Sequence, residues 1–388
     1  MPLKFEEEII HCRVGDFVKV KNIRLFGTNE EIGFKLGEIA RNQHAVSRTK
    51  NADTLKNRLQ KKYLKSNYPV HYSRMKGLAK AYGEDIENTA YDFTCFGNPL
   101  GINACSAVFY PPKFTEINTG ILSRNLDLPL ISFSEMITSR NVENDPPAMS
   151  NVYVVELYPD QGYSSLINLS FKLYGLGLDG INSEGLAVTH LYADSVNANS
   201  YKSSLEYGIG INEMLTVQFL LDNCKNVGEA KELLLSNKHF YLILPTHFLI
   251  ADKYGNSFVW EHSPEHNKEF IIDNNSEIQI ITNFLLHQYP NSNDFPQSKD
   301  KSCPFDRYKT LENAIRSNDG KFSLDKMKAI NSKVFISNDM YAERPISPKK
   351  TIYHNIYDTS NKSMEISFYQ KNESNQQLRT EYIEFKLK

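Results

Sequence analysis

The spacing of apolar residues changes character about a quarter of the way along this chain. Before that point the pattern is helical. Thr28-Asn-Glu-Glu31 is a capping box, in which a threonine and a glutamate three residues on satisfy each other's backbone donors, and it opens a run with Ile32, Leu36, Ile39 and Ala40 at helical spacing. Two further charged, periodic stretches at about 52–66 and 70–90 extend the reading, so the first hundred residues look mostly helical. From Phe93 onward strand signals dominate. Strands are predicted at about 104–110, 119–128, 152–157 and 166–174. Ile181 to Val188 reads as a hairpin turn entering a strand, because Asn182 and Gly185 accept the left-handed backbone such turns require. Two helices at roughly 211–224 and 227–236 carry Leu215, Phe219, Leu220 and Leu233 on apolar stripes. Residues 242–251 and 256–261 then pair across Lys253 to Asn256, and 277–284 forms another strand. Pro304 starts a further helix in the first turn, where proline is tolerated, and the last strands lie near 351–357, 363–369 and 381–387.

Strand pairs, then helices, then strand pairs again are accommodated by two antiparallel sheets that cover one face with each other and the remaining face with helices. The expected fold is α+β, a four-layer αββα sandwich. Ahead of it stands the helical segment. The polar, Asn/Ser/Lys-rich stretch 290–302 reads as a surface connection or a mobile lid.

Composition narrows the function classes. A chain of 388 residues can hold a sizeable core and two folding units, and a net charge of -2 with a pI near 6.6 gives no nucleic-acid footprint. Residues 1–104 carry 17 Lys+Arg against 12 Asp+Glu, hence +5, which leaves the remainder at -7. The two parts are therefore expected to pack on one another. Met1 to Glu8 lacks the apolar core of a secretory signal. The longest apolar stretch, Phe240 to Ile250, is interrupted by Pro245 and His247 and is too short to span a bilayer as a helix. A soluble, cytoplasmic protein with no membrane partner is expected. Five cysteines, at positions 12, 95, 105, 224 and 303, are an odd number without CxxC spacing, which disfavours both a disulfide framework and a zinc site.

One cysteine carries a chemical pattern. Cys105 follows Ala104, with Gly101 close by, and opens a β-rich run; Arg124 and Asp127 lie on the returning strand. A thiol can attack the carbonyl of its own preceding residue only where that residue is small and the backbone is held strained, and Ala104 permits the approach. Cleavage between Ala104 and Cys105 would free an α-amine whose ordinary pKa of about 7.7–8.0 suits it to take the thiol proton, so no histidine is required. Arg124 would favour thiolate over thiol, and Asp127 would orient the new ammonium. Residues 124 and 127 face opposite sides of a regular strand, so a bulge or a strand end near Leu126 is expected.

Three other patterns compete. Gly175-Leu-Gly177-Leu-Asp-Gly180 satisfies GxGxxG, but a strand follows where a dinucleotide site needs a helix. Glu261, His262, Glu265 and His266 gather metal-ligand types, but Pro264 breaks the helix that would align them, and no metal or other cofactor is expected. Cys105 with His190 or His247 would be a papain-like pair, yet the local signature around such a cysteine is missing.

Cys105, Arg124-Asn-Leu-Asp127, Asn182-x-x-Gly185-Leu-Ala, Thr282-Asn283-Phe284 and Arg307-Tyr308 occur in an order that resembles the linear-amide C–N hydrolases of the N-terminal-nucleophile superfamily. That group includes choloylglycine hydrolases, penicillin V acylases and acyl-CoA:6-aminopenicillanate acyltransferases. The run Leu25-Phe-Gly27-Thr-x-x-Glu-Ile-Gly33-x-x-Leu-Gly37 is similar to the acyltransferase branch, so the resemblance spans most of the chain. It implies a prosegment, 1–104, and a catalytic part, 105–388. It also implies an oxyanion role for Asn283 and, by approximate alignment, for Tyr192, with Arg307 supporting the nucleophile. The reaction implied is acyl transfer from a small-molecule linear amide or acyl thioester to water or an amine. An acyl-CoA-dependent N-acyltransferase and an uncleaved, catalytically silent acyl-ligand binder remain as alternatives, and a homo-oligomer stays open.

Overall fold

The computed structural model describes residues 2–50, 53–95, 104–132, 134–135, 145–174, 177–193, 208–241, 245–263, 268–297, 303–336, 348–373 and 376–388. The first part comprises β1 (Lys4–His11), β2 (Lys19–Gly27), α1 (Asn29–His44), β3 (Thr49–Lys50), α2 (Thr54–Asn67), α3 (Pro69–Ala81) and β4 (Tyr91–Asp92). Then come β5 (Ala104–Tyr110), β6 (Ile121–Pro129), β7 (Asn151–Pro159), β8 (Ser165–Ser170), β9 (Asp179–Asn182), β10 (Ala187–Tyr192), β11 (Ile211–Asn212), α4 (Glu213–Asn223) and α5 (Val227–Ser236). The remainder is β12 (His239–Phe240), β13 (Thr246–Ala251), β14 (Ser257–Ser263), β15 (Lys268–Asp273), β16 (Gln279–Ile281), α6 (Pro304–Arg316), α7 (Leu324–Ser332), β17 (Lys349–Asp358), β18 (Ser363–Glu373), β19 (Gln376–Arg379) and β20 (Ile383–Lys386).

The strands form two large sheets. One has the order β1-β2-β7-β8-β9-β10-β13-β14-β15; the other runs β16-β5-β6-β17-β18-β19, with β20 also on β18. Their inner faces meet where β5 crosses β10 and β13. The outer face of the first sheet is covered by α4 and α5 through Val188, Phe248, Leu220 and Leu234, and by α1 against β2 and β7. Helices α6 and α7 cover the second sheet through Val108, Tyr110, Leu311 and Met327. This is the αββα sandwich that the strand and helix order predicts. Among the described residues no helix is long and apolar enough to cross a membrane.

The first hundred residues are less helical than their periodicity suggests. The capping box forms as expected, with both halves present on α1, but β1 and β2 precede it and α3 stops at Ala81, where the chain turns through Gly83 at φ +72°. Glu6, Glu7 and Glu8 hide β1 from a hydrophobic reading. They are the charges an exposed edge strand carries to prevent further pairing. Strand β2 runs parallel to β7 in unbroken register from Lys19↔Asn151 to Gly27↔Pro159, so residues 1–104 supply part of the first sheet. Their helices are tied in as well: Arg74 of α3 makes a two-pronged ion pair with Asp222 of α4 at 2.7 and 3.0 Å, both side chains buried, and Tyr68 donates to the same carboxylate at 2.5 Å.

Glycines of two sequence motifs are explained by packing. Gly33 of α1 and Gly77 of α3 face one another so closely that a Cβ at Gly33 would strike the Arg74 carbonyl and one at Gly77 the Glu30 carbonyl. In the GxGxxG stretch, a Cβ on Gly180 would lie 2.7 Å from Leu221 of α4 and 2.8 Å from the Leu166 carbonyl, so that glycine admits a helix and not a phosphate; Gly175 lies outside the described residues. Gly77→Ala is therefore expected to force α1 and α3 apart and cost about 3 kcal/mol, at the upper end for overpacking. Urea denaturation of the purified variant checks this; an unchanged midpoint would contradict the close crossing.

Candidate active site

Cys105 lies near the start of β5, second from the edge of its sheet, and its residue is 1% exposed. Its side chain faces the space between the sheets, with Ala107 and Phe109 beyond it in the same core. Each polar atom of Cys105 has a defined partner. The backbone N–H donates to Asn283 Oδ1 at 2.5 Å, the carbonyl accepts from Arg307 Nη1 at 2.7 Å, and Arg124 Nη2 stands 3.8 Å from Sγ. Burial pushes the thiol pKa up; Arg124 and Arg307 pull it down, and the Asp127 carboxylate works against them.

Asn283 follows β16 and is held from three sides. Its Oδ1 accepts from Cys105 N–H and from Arg307 Nη2 at 2.6 Å, while its Nδ2 donates to the Tyr192 carbonyl at 2.6 Å. Donors on one side and an acceptor on the other fix the amide orientation. The second N–H of the same amide group makes no hydrogen bond among the described residues. Tyr192, at the end of β10, enters the cluster through its main-chain carbonyl. Arg307 is reached from α6, whose proline start places it one turn in, so that its guanidinium spans Cys105, Asn283 and, at 3.6 Å, Asp127.

Arg124 and Asp127 stay on opposite faces of β6, and the expected irregularity is not in that strand. Strand β6 keeps regular register with β5, from Ala104↔Asp127 to Tyr110↔Ile121; the bulge is in the neighbour β17, between Thr351 and Tyr353. The chain meets the difficulty differently, by presenting the Cys105 side chain to Arg124 and its main chain to Arg307 and Asn283. Asp127, fully buried, accepts from Thr351 Oγ1 at 2.5 Å. Burial raises its carboxyl to about 6 in spite of Arg307 and Thr351.

The sequence reading missed Asp179. Its carboxylate takes the Arg124 Nη1 hydrogen bond and is fully buried between the sheets. Tyr353 donates to it at 2.6 Å, Asn168 and Asn355 at 2.7 Å each, and Tyr357 also donates. Burial works against the Arg124 charge, but Tyr353 and Asp179 more than offset it and raise its pKa. Asp179 thereby occupies one edge of the guanidinium and leaves Nη2 for Sγ and the His190 carbonyl, the latter at 3.1 Å. A signal was present: Tyr353, Asn355 and Tyr357 recur at every second position of β17, a polar stripe on a face that faces no solvent.

The competing patterns resolve as well. The His190 ring sits against the Leu178 carbonyl, and burial lowers its pKa to about 3. His247 Nδ1 faces Glu261 at 3.0 Å. Neither imidazole bonds to the thiol among the described residues. Asn182 and Gly185 form the expected turn, and Asn182 Nδ2 also donates to the Leu221 and Cys224 carbonyls at the end of α4. Pro264, Glu265 and His266 lie outside the described residues, as do 298–302 of the polar stretch.

The layers are those of N-terminal-nucleophile amide hydrolases and acyltransferases, enzymes that work on amide C–N bonds. More narrowly, the chain belongs to the acyl-coenzyme A:6-aminopenicillanic acid acyl-transferase family, whose model matches residues 134–373. That match includes Asp179, Tyr192, Asn283 and Arg307 and begins after Cys105, Arg124 and Asp127. Among solved structures, the chain is similar to a mutant of conjugated bile acid hydrolase from Clostridium perfringens, with 17% identity over 72% of this chain and 92% of that one and a TM-score of 0.44. It is also similar to penicillin V acylase from Agrobacterium tumefaciens, with 16% identity over 68% and 82% and a TM-score of 0.42. A third is the Caenorhabditis elegans ortholog of N-acylethanolamine-hydrolyzing acid amidase, with 15% identity over 66% and 92% and a TM-score of 0.39. No curated protein sequence matches.

Removing the carboxylate from this buried pair leaves a lone guanidinium. Asp179→Ala is expected to cost about 3–5 kcal/mol in urea denaturation, and adding Arg124→Met should recover part of the loss. A double variant as unstable as the sum of two independent losses would contradict the pairing.

Proposed function

We propose that the chain is a precursor that cleaves itself between Ala104 and Cys105, and that the mature Cys105 takes an acyl group from a small-molecule linear amide or thioester and passes it to water or an amine. The observation that carries the reading is the grip on this one residue: Asn283 on the Cys105 N–H, Arg307 on its carbonyl and Arg124 beside its sulfur. With both ends of the residue fixed, the sulfur approaches the preceding carbonyl with little motion left to lose.

In the proposed processing step the Sγ–C bond to the Ala104 carbonyl carbon forms and the C–N bond to Cys105 breaks. The thiol proton passes to the departing nitrogen, and Asp127 is assigned to hold that nitrogen as it becomes an ammonium. Water then hydrolyses the thioester, which leaves Ala104 as a carboxylate and Cys105 with a free amine and thiol. In turnover that amine takes the thiol proton, Arg124 stabilises the sulfur, and the remaining Asn283 N–H faces the oxyanion. The fragments, 104 residues and the other 284 of the 388, would stay together, since β2 is built into the first sheet and Arg74 is locked to Asp222.

Membership of an acyltransferase family supports a second reading of the same site, N-acyl transfer from an acyl-CoA donor to an amine. Activity assays with an acyl amide and an acyl thioester, each with and without added amine, separate the two. The processing claim is tested by intact mass. Wild type is expected as two fragments that co-elute natively and part in denaturant, and Cys105→Ala as one chain. An intact wild type that turns over no acyl substrate would favour the silent binder.

The pH dependence follows from Asp127. Its folded carboxyl titrates near 6 against an ordinary 3.8, so the folded chain holds the proton more tightly, and stability from this group is lost as pH rises through that window. The carboxylate needed to hold the ammonium is present above it. Processing is expected to accelerate from pH 5 to 7 and then level, and Asp127→Asn should be slow throughout; a wild-type rate independent of pH would contradict that role.

A further inference from the structure

Asn283 is only as well placed as the loop that carries it, and the anchors of that loop are unequal. On one side, Thr282 Oγ1 donates to the Pro304 carbonyl at 2.8 Å, and Phe284 packs with Phe295 and Phe305. Both tie the loop to the start of α6. On the other side, facing the first sheet, the carboxylate of Glu261 in β14 takes the backbone N–H groups of Leu286 at 2.7 Å and His287 at 3.0 Å, and also His287 Nδ1 at 2.6 Å. His247, directly across from Glu261 in the β13–β14 register, places its Nδ1 3.0 Å from the same carboxylate. Glu261 is fully buried, and its four donors are what permit a carboxylate there. A side chain needed only to fill the space between the sheets would be apolar.

We propose that Glu261 is a positioning residue: by clamping residues 286–287 to β14 it sets Asn283 against the Tyr192 carbonyl and the Cys105 N–H. Strands β10, β13 and β14 are consecutive in the first sheet, so the Tyr192 carbonyl and the Glu261 carboxylate belong to one rigid frame. The clamp transmits that frame to the amide that touches Cys105. His247 and His287 complete the clamp by occupying the remaining lone pairs of the carboxylate. Displacing an oriented group by about 1 Å costs on the order of 100-fold in rate. Loss of the clamp should therefore appear in kcat, with substrate affinity largely kept. The consequence for rates rests on the function proposed above; the clamp itself does not.

The test compares wild type with Glu261→Gln, which keeps the volume and one acceptor, and with His287→Leu, which removes one donor and keeps the backbone N–H groups of Leu286 and His287 on the carboxylate. Hydrogen exchange of the peptide covering 283–288 is measured beside the processing rate and the steady-state constants for an acyl amide. Expected are faster exchange in that peptide, processing and kcat down by about 100-fold in Glu261→Gln and less in His287→Leu, and KM within about twofold. Wild-type exchange and rates in both variants would overturn the proposal. Should wild type neither process nor turn over, the proposed function fails and exchange alone decides the clamp: accelerated exchange supports it, and unchanged exchange overturns it.

Discussion

A guanidinium withdrawn from water keeps its charge and needs a carboxylate to compensate it, and here the pair also joins two sheets. Arg124 projects from β6 of the second sheet and Asp179 from β9 of the first, and they meet in the layer between them. Removing two charges from solvent costs several kcal/mol each, and good geometry with satisfied hydrogen bonds is the condition for recovering it. Asp179 meets the condition with four further donors, two of them tyrosine hydroxyls from β17. The arrangement leaves one face of Arg124 available, and that face points at a sulfur.

The same cluster divides Cys105 into two problems solved on opposite sides of one strand. The inner side deals with the thiol through Arg124. The outer side deals with the main chain: Arg307 descends from α6 to the carbonyl, and Asp127, which burial disfavours as an anion, lies within ion-pair distance of it. A strand separates its faces by geometry, so charge at the sulfur and the grip on the backbone can be set independently. Asn283 reaches over the edge to connect the halves, touching the Cys105 N–H, Arg307 and the first sheet through Tyr192.

Much of this was legible in the residues. The capping box at Thr28, the strand pair around Cys105 and the proline start of α6 are local signals that tertiary packing left in place. Arg124, Asp127, Asn283 and Arg307 were legible as an ordered set, and they converge on Cys105. Two kinds of feature were hidden. Strand β1 carries three consecutive glutamates and shows no alternation, because its edge position selects for charge. Asp179 and Glu261 sat inside patterns that suggested a nucleotide loop and a metal cluster, and their partners come from strands and loops distant in sequence. The donors to Glu261 leave no periodic trace, and those to Asp179 show only as the alternating polar stripe of Tyr353, Asn355 and Tyr357 in a buried strand.

The proposed chemistry requires Cys105 to become the first residue of a mature fragment and to carry the acyl group. Wild-type protein exposed briefly to an acyl thioester or amide, quenched in acid and mapped by mass spectrometry measures both at once. The predicted result is one added acyl mass, released by hydroxylamine, on a peptide whose first residue is Cys105. An acyl group on any other residue, or a Cys105 still joined to Ala104 in protein that turns over substrate, would contradict it.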